Sequence, residues 1–252
     1  MKIASAMLRS RAAKGIFFTA FLPLLAMSAP VDYVIHISVD GLRADAVAAL
    51  GPDDAPNFSR LRTEGAFTDN ARTDVGETLT LPNHTTQLTG RGVHGGSGHN
   101  YTANVIPSPE TTLHRNKGSY IKSVFDVVHD HGLSTCLYAS KEKFILYEQS
   151  YNESNGARDT IGEDNGRKKI DRYLFNEDMA VLVASYLKAM TSTPYNYCMV
   201  HLRDPDIAGH GYHWDLTPGS AYLESIMRID DLLGDILALI DIDQTLNRKT
   251  AI

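Results

Sequence analysis

Residues 78–90, TLTLPNHTTQLTG, place a hydroxyl group where a helix is predicted to begin. Pro82 suits the first turn of a helix, and Gly90 suits the position just past its end. Thr80 then lies at the helix N-terminus, where free backbone N–H groups and the helix dipole favour an anion such as phosphate. The same field would stabilise a threonine alkoxide. Thr80 is therefore a candidate nucleophile, although taken alone it is also described by a simple helix cap.

A carboxylate and an imidazole stand four positions apart in residues 204–210, DPDIAGH. Asp206 and His210 converge on one ion if this segment turns tightly or begins a helix. Oxygen and nitrogen ligands together suit zinc better than magnesium or calcium. Asp40 follows another apolar run and precedes Gly41. Taken alone, Asp206 and His210 could also be a surface pair or a helix cap, and Asp40 could be a turn residue.

Strand-like and helical segments alternate along the chain. Strands are predicted over 31–39, 133–139 and 197–202, and helices over 42–50, 55–64, 119–131, 174–190 and 221–241. Residues 91–108 are predicted to form a loop, and 148–169 a surface excursion. This alternation predicts an α/β fold with a mostly parallel sheet covered by helices on both faces. Ligands bind beyond the carboxyl ends of such strands, where Asp40, Asp206 and the Thr80 helix mouth are expected to meet.

Composition limits the possible partners. The 252 residues are 43% hydrophobic and 21% charged, which suits one sizeable globular domain. A net charge of −6 and the absence of a basic stripe argue against binding of a nucleic-acid duplex. A small anionic substrate would instead need a local positive site such as a metal.

Residues 1–29 are predicted to be an export signal peptide. Basic residues precede an apolar run over 15–27, and small residues follow it. The run is too short to span a bilayer comfortably, so no stable membrane span is expected after cleavage, with an uncleaved anchor as the alternative. The mature chain, 30–252, is predicted to be periplasmic or secreted. Cys136 and Cys198 lie in strand-like runs and are interpreted as buried free thiols, a cross-strand disulfide being the alternative.

Three motifs in this order carry a family resemblance: VDG at 39–41, TLPNH at 80–84 and DPDIAGH at 204–210. With KEKF at 141–144 and KIDRY at 169–173, they resemble the type I phosphodiesterase/nucleotide pyrophosphatase family of the alkaline phosphatase superfamily. The resemblance implies an alkaline-phosphatase-like three-layer α/β sandwich that holds two zinc ions. It covers the chain from about residue 31 to the end.

The resemblance also implies a role for each matching residue. Asp40 would bind one zinc ion, and Thr80 would be the nucleophile that bridges to it. Asp206 and His210 would bind the other ion. Asn100 lies close to where the family has an asparagine that stabilises the transferring phosphoryl group, although the loop spacing differs.

The remaining histidines receive no catalytic role from the sequence. His84 belongs to the TLPNH motif, but its residue type and position suggest no particular function. His36 and His201 lie inside predicted strands and are interpreted as core or sheet-face residues. His129 and His131 suit the C-terminal end of a helix.

The function implied is zinc-dependent hydrolysis of a small phosphate ester through a phosphothreonine intermediate. Monoesterase and diesterase activities are not distinguished by these residues. A sulfatase is disfavoured, because threonine replaces the cysteine or serine of that group and His84 replaces its arginine. A non-catalytic secreted binding protein on the same scaffold is the alternative from another class.

The chain is expected to be the N-terminal part of a longer catalytic domain. Residues 249–252 look like the opening of a further strand, and the family continues there with an Asp-His pair and, later, another histidine. Each ion would therefore have two protein ligands in this chain, whereas catalytic zinc sites use three. Weak zinc binding and marginal hydrolysis are expected.

Overall fold

The computed structural model describes residues 30–252, and the predicted signal peptide lies outside the described residues. Its strands are β1 (Tyr33–Val39), β2 (Thr135–Ala139), β3 (Arg172–Phe175), β4 (Tyr197–Leu202) and β5 (Thr250–Ala251). They form one sheet in the order β3-β2-β4-β1-β5, and neighbouring strands pair in parallel. The parallel sheet predicted from the alternating segments is confirmed.

Helices cover both faces of this sheet. They are α1 (Ala44–Asp54), α2 (Pro56–Glu64), α3 (Thr80–Thr89), α4 (Leu113–Lys117), α5 (Val124–His129), α6 (Ile145–Tyr151), α7 (Met179–Ser192), α8 (Asp204–Tyr212) and α9 (Ala221–Ile242). One apolar cluster joins α3, α5 and α6 to one face of β2 and β4, and a second joins α7 and α9 to the other. The layers are therefore helix, sheet and helix, as predicted. Among the described helices, none is long and apolar enough to cross a membrane.

The register of the sheet brings three strand ends level with one another. Val39 of β1 is opposite Leu202 of β4, and Ala139 of β2 is opposite His201 of β4. Because the strands are parallel, the residues that follow β1, β2 and β4 emerge at the same edge. Side chains far apart in sequence are thereby brought together.

Three predicted segments differ in the structure. The helix predicted over 174–190 is preceded by the short strand β3 and starts at α7, where the Asp178 carboxylate accepts hydrogen bonds from two helix N–H groups. The helix predicted over 119–131 starts later, because Ser123 and Asp126 form a capping box that fixes its first turn. The prediction of a surface segment over 148–169 is wrong at both ends. Helix α6 continues through the buried Tyr151, and Lys169 is buried beside Asp159.

The two cysteines are direct neighbours across the sheet. Cys136 on β2 is the register partner of Cys198 on β4, and both are buried free thiols, which agrees with the preferred interpretation. Burial raises the pKa of the Cys136 thiol, and the neighbouring Cys198 adds to this effect. The neutral thiol is therefore the stable form of Cys136, which does not behave as a reactive thiolate.

Helix α2 is capped by a residue of another helix. Its own preceding residue, Ala55, supplies no side-chain cap. Instead the buried carboxylate of Asp230 on α9 accepts hydrogen bonds from the backbone N–H groups of Asn57, at 3.1 Å, and Phe58, at 2.8 Å. The Asn57 side-chain amide donates to the same carboxylate at 2.9 Å. This contact fixes the start of α2 against α9.

We predict that Asp230→Ala lowers the free energy of unfolding by about 2–3 kcal/mol, because it leaves helix N–H groups unpaired in a buried position. Urea unfolding followed by circular dichroism measures the change. Asp235→Ala, which removes an exposed carboxylate from the same helix, is the matched control and should change stability little. Equal stability of the two variants would contradict the capping role.

Candidate active site

Charged side chains from three adjacent strand ends meet at one edge of the sheet. Asp40 follows β1, Lys141 follows β2 by one intervening residue, and Asp206 lies in the first turn of α8 after β4. The Lys141 Nζ lies 2.6 Å from Asp40 Oδ2 and 2.5 Å from Asp206 Oδ2. It therefore bridges two carboxylates that are only 13% and 17% exposed.

Gly41 makes the close approach of β1 and α8 possible. Its φ is +74°, and a Cβ built at this position would lie 2.5 Å from the Asp206 Cα. Any other residue would both strain the backbone and push α8 away. The glycine of the VDG motif therefore allows Asp206 to sit beside Asp40.

Thr80 lies where its predicted helix begins. Helix α3 starts at Thr80, after Leu79 in an extended conformation, and ends before Gly90, which has a left-handed φ of 63°. The Thr80 hydroxyl donates a hydrogen bond to Asp40 Oδ2 at 3.2 Å, and Lys141 Nζ lies 3.5 Å from the same hydroxyl. The structure thus brings Thr80, Asp40 and Asp206 together around one lysine.

His84 connects α3 to β1. Its Nδ1 lies 2.8 Å from the Thr80 carbonyl oxygen, and its Nε2 lies 2.8 Å from the Ser38 hydroxyl of β1. Burial, assisted by the charge of nearby His201, lowers the pKa of His84 to about 3. The imidazole is therefore neutral near pH 7, with one nitrogen as donor and the other as acceptor. This residue of the TLPNH motif holds the position of Thr80.

His201 has a contact that its place in a strand did not reveal. It is fully buried in β4, as expected of a core residue, but its Nε2 lies 3.4 Å from Asp40 Oδ2. Burial by itself would raise the pKa of Asp40. The hydrogen bond and charge of His201, together with the charge of Lys141, outweigh burial and hold that pKa well below its usual range. Asp40 is therefore ionised at neutral pH.

Among the described residues, those that line the cleft around Thr80 do not include Asn100. Its backbone adopts a left-handed φ of 59°, and its carbonyl oxygen accepts a hydrogen bond from Asn116. Asn104, four residues later, lines the cleft instead. Its Oδ1 accepts hydrogen bonds from the backbone N–H of Leu81 and from Lys143 Nζ, both at 3.1 Å. The structure therefore favours Asn104 over Asn100 at the mouth of α3.

The candidate metal ligands form two pairs. Asp206 Oδ1 lies 3.6 Å from His210 Nε2, and Thr80 Oγ1 lies 3.2 Å from Asp40 Oδ2. Two ligand atoms on a tetrahedral zinc ion lie about 3.3 Å apart, given bonds of about 2.0–2.1 Å. The pairs therefore fit zinc in chemistry and in spacing. Each has two donors, and no group of three or more His, Cys, Asp or Glu residues within 30–252 is arranged to hold an ion.

The cleft around these side chains has a volume of about 840 Å³, which is large enough for a phosphate ester with its substituents. Polar groups from several segments line it, together with the apolar side chains of Leu79, Ile106, Ile207 and Trp214. Lys141 and Lys143 both face it, so the cleft combines acidic and basic groups. The KEKF motif supplies these two lysines, but the sequence alone did not indicate a chemical role for them.

A family model described as type I phosphodiesterase/nucleotide pyrophosphatase matches residues 34–252. The chain belongs to this family. The resemblance in its VDG, TLPNH and DPDIAGH motifs is thereby confirmed. A comparison with curated proteins gives no match.

Several solved structures share this fold. One is murine ectonucleotide pyrophosphatase/phosphodiesterase 5, which is 21% identical to this chain and superposes with a TM-score of 0.56. The match covers 86% of this chain and 54% of the murine chain. An inactive threonine-to-alanine form of that protein in complex with AMP gives a TM-score of 0.58. Phosphonoacetate hydrolase from Sinorhizobium meliloti 1021, in complex with phosphonoformate, is 20% identical with a TM-score of 0.52 over 84% of this chain and 54% of that chain. The chain thus spans about half the length of these proteins.

The buried neutral His84 predicts a loss of stability in acid. Its pKa falls from 6.5 to about 3 on folding, so below pH 6.5 the unfolded chain binds a proton that the folded chain does not. The free energy of unfolding should therefore decrease as the pH falls from about 6.5 toward 3, by up to about 1.4 kcal/mol per pH unit for one such group. Urea unfolding between pH 7 and pH 4 measures this slope.

His84→Gln should flatten the slope, because glutamine does not titrate. His131→Gln removes an exposed histidine and should leave the slope unchanged. Identical slopes in the wild-type protein and in His84→Gln would contradict the assignment.

Proposed function

We propose that this chain carries the nucleophile of a zinc-dependent phosphate ester hydrolase that acts through a phosphothreonine intermediate. The observation that carries the proposal is the position of Thr80, at the N-terminus of α3 with its hydroxyl 3.2 Å from Asp40. Membership of the phosphodiesterase family supports the reaction class. A threonine-to-alanine form of the murine structural neighbour is inactive, which supports testing the substitution of Thr80 by alanine in this chain.

In the proposed reaction each of these residues has a different role. Asp40 orients the Thr80 hydroxyl, and the Thr80 oxygen would bond to phosphorus as the bond between phosphorus and the leaving-group oxygen breaks, with that oxygen taking up a proton from water. Water would then hydrolyse the phosphothreonine, which releases the phosphorylated product and restores the Thr80 hydroxyl. The Leu81 N–H is already donated to Asn104 Oδ1 and Pro82 has no N–H, so we assign the backbone N–H of Thr80 and the Asn104 side-chain amide as the fixed donors that would stabilise charge on the phosphoryl oxygens. Asp40 is a weak proton acceptor, because its pKa is held well below its usual range. Deprotonation of Thr80 therefore depends on an additional positive charge.

Zinc would supply that charge, with Asp40 and Thr80 at one position and Asp206 and His210 at the other. A bound zinc ion acts as a Lewis acid and makes a coordinated hydroxyl a better nucleophile. The chain's own contribution is to hold the carboxylates, the hydroxyl and the imidazole in place. Gly41, His84 and the strand register maintain that arrangement.

We infer that the substrate is a small phosphate ester, either a monoester or a diester. The structural neighbours were solved with AMP, phosphonoformate and phosphonoacetate, which are small phosphorus oxyanions. The acidic net charge supports the exclusion of a nucleic-acid duplex. The apolar run within residues 1–29 supports a periplasmic or secreted location.

In a form of the protein that hydrolyses phosphate esters, Thr80→Ala should reduce turnover of p-nitrophenyl phosphate and bis-p-nitrophenyl phosphate by about three orders of magnitude or more, since it removes the attacking oxygen. Zinc at Asp206 and His210 should be retained, because neither residue is changed, whereas the position that Thr80 shares with Asp40 should bind zinc more weakly. Thr78→Ala is the matched control: it removes an exposed hydroxyl from the same cleft and should keep near wild-type turnover.

Near wild-type turnover by Thr80→Ala would exclude Thr80 as nucleophile. Phosphate binding without detectable hydrolysis by the wild-type chain would favour the alternative of a non-catalytic binding protein.

His210→Ala should weaken zinc binding about tenfold or more and lower turnover in parallel, because it removes one of two donors at its position. Zinc titration against a chromophoric chelator measures the affinity, and circular dichroism checks that the fold is retained. His131→Ala, an exposed histidine outside the cleft, is the control. Unchanged zinc affinity in His210→Ala would refute the ligand assignment.

A further inference from the structure

Lys141 lies between the two pairs of candidate zinc ligands. Its ammonium lies 2.6 Å from Asp40 Oδ2, the oxygen that pairs with Thr80, and 2.5 Å from Asp206 Oδ2, which belongs to the same carboxylate as the Oδ1 that pairs with His210. The Thr80 hydroxyl, the second donor of the Asp40 pair, is 3.5 Å away. The lysine side chain is only 10% exposed, so it is held in the cleft and does not extend into solvent.

The contacts of Lys141 are those that a cation would make. Lysine carries a compact point charge at the end of a flexible four-carbon stem, and it satisfies two carboxylates that would otherwise repel each other in a partly buried site. A zinc ion on Asp40 would use the Oδ2 atom that now faces both Thr80 and Lys141. One oxygen cannot keep a short contact with the ammonium and also bind a divalent ion without bringing two like charges together.

We propose that Lys141 is an internal competitor of the metal: its ammonium neutralises Asp40 and Asp206 in the metal-free protein and leaves them when zinc binds. The proposal rests on the zinc sites of the proposed function and adds a determinant of their affinity. Zinc binding then includes the loss of two lysine–carboxylate contacts. The flexible stem allows the ammonium to move while the backbone after β2 stays in place.

Lys143 provides a matched comparison within the same cleft. It also carries a positive charge, but its Nζ contacts the backbone oxygen and Oδ1 of Asn104, both at 3.1 Å, and neither carboxylate. Removing either lysine removes one positive charge from the cleft. Only removal of Lys141 frees the carboxylate oxygens, so the comparison separates direct competition from general electrostatics.

The test is zinc affinity by chelator competition in the wild-type 252-residue chain, Lys141→Met and Lys143→Met. Contacts to ligand atoms change metal affinity by about 10–100-fold. Lys141→Met should therefore bind zinc about tenfold or more tightly than wild type, and Lys143→Met should show less than a third of that gain. Equal gains in the two variants, or no gain in Lys141→Met, would overturn the proposal.

Stability gives a second readout. Without metal, Lys141→Met should be less stable than wild type, because two partly buried carboxylates lose their counter-ion. Saturating zinc should raise its unfolding temperature by more than it raises that of wild type, because at a given zinc concentration the stabilisation grows with the logarithm of the zinc affinity. An equal or smaller rise would contradict competition.

Amine labelling uses only the wild-type chain, so it tests the proposed competition even if Lys141→Met does not fold. Mass spectrometry after treatment with an amine-reactive reagent should show faster modification of Lys141 with zinc than without it, and an unchanged rate at Lys143. An unchanged or slower rate at Lys141 in a zinc-loaded chain would refute the proposal. Failure of every form to bind zinc would refute the proposed metal site itself, and the competition with it.

Discussion

The short distance between two carboxylates is the constraint on which the rest of the site depends. Asp40 and Asp206 are held together because Gly41 lets α8 approach β1 and because the strands are in parallel register. Two partly buried anions at this separation would repel each other strongly without a cation between them. Lys141 supplies that cation from the end of the adjacent strand. The same proximity that is costly for the protein alone is the basis of the metal site that we propose.

Helix α3 is joined to this charged centre through neutral groups. His84 links the first turn of α3 to Ser38 on β1, while the Thr80 hydroxyl points to Asp40 one turn earlier. Thr80, the proposed nucleophile, is thus held in place by the strand that precedes Asp40. Side chains fixed in this way lose little further freedom on reaching a reactive geometry, which is the advantage of a site built on regular elements.

Much of the fold followed from local patterns, whereas part of the site did not. Pro82 and Gly90 marked the ends of α3, and the apolar runs marked β1 and β4 closely. Lys141 was missed because its role depends on which strands are neighbours, which periodicity does not reveal. Asn104 was not identified from the sequence, because loop spacing alone does not show which residue of a loop lines the cleft. Strand β3 has four residues, too few for a clear alternation.

The parallel pairing of β1 has a consequence for how the chain reaches its native state. Val34 lies opposite Tyr197 on one side and Ala251 on the other, so both neighbours of β1 come from distant parts of the sequence. During synthesis, β1 emerges early and has no partner until β4 has been made. Non-local pairing of this kind slows folding, and unpaired apolar strands are prone to associate with other chains. The order of synthesis thus leaves β1 without a partner strand while β2, β3 and the helices between them are made.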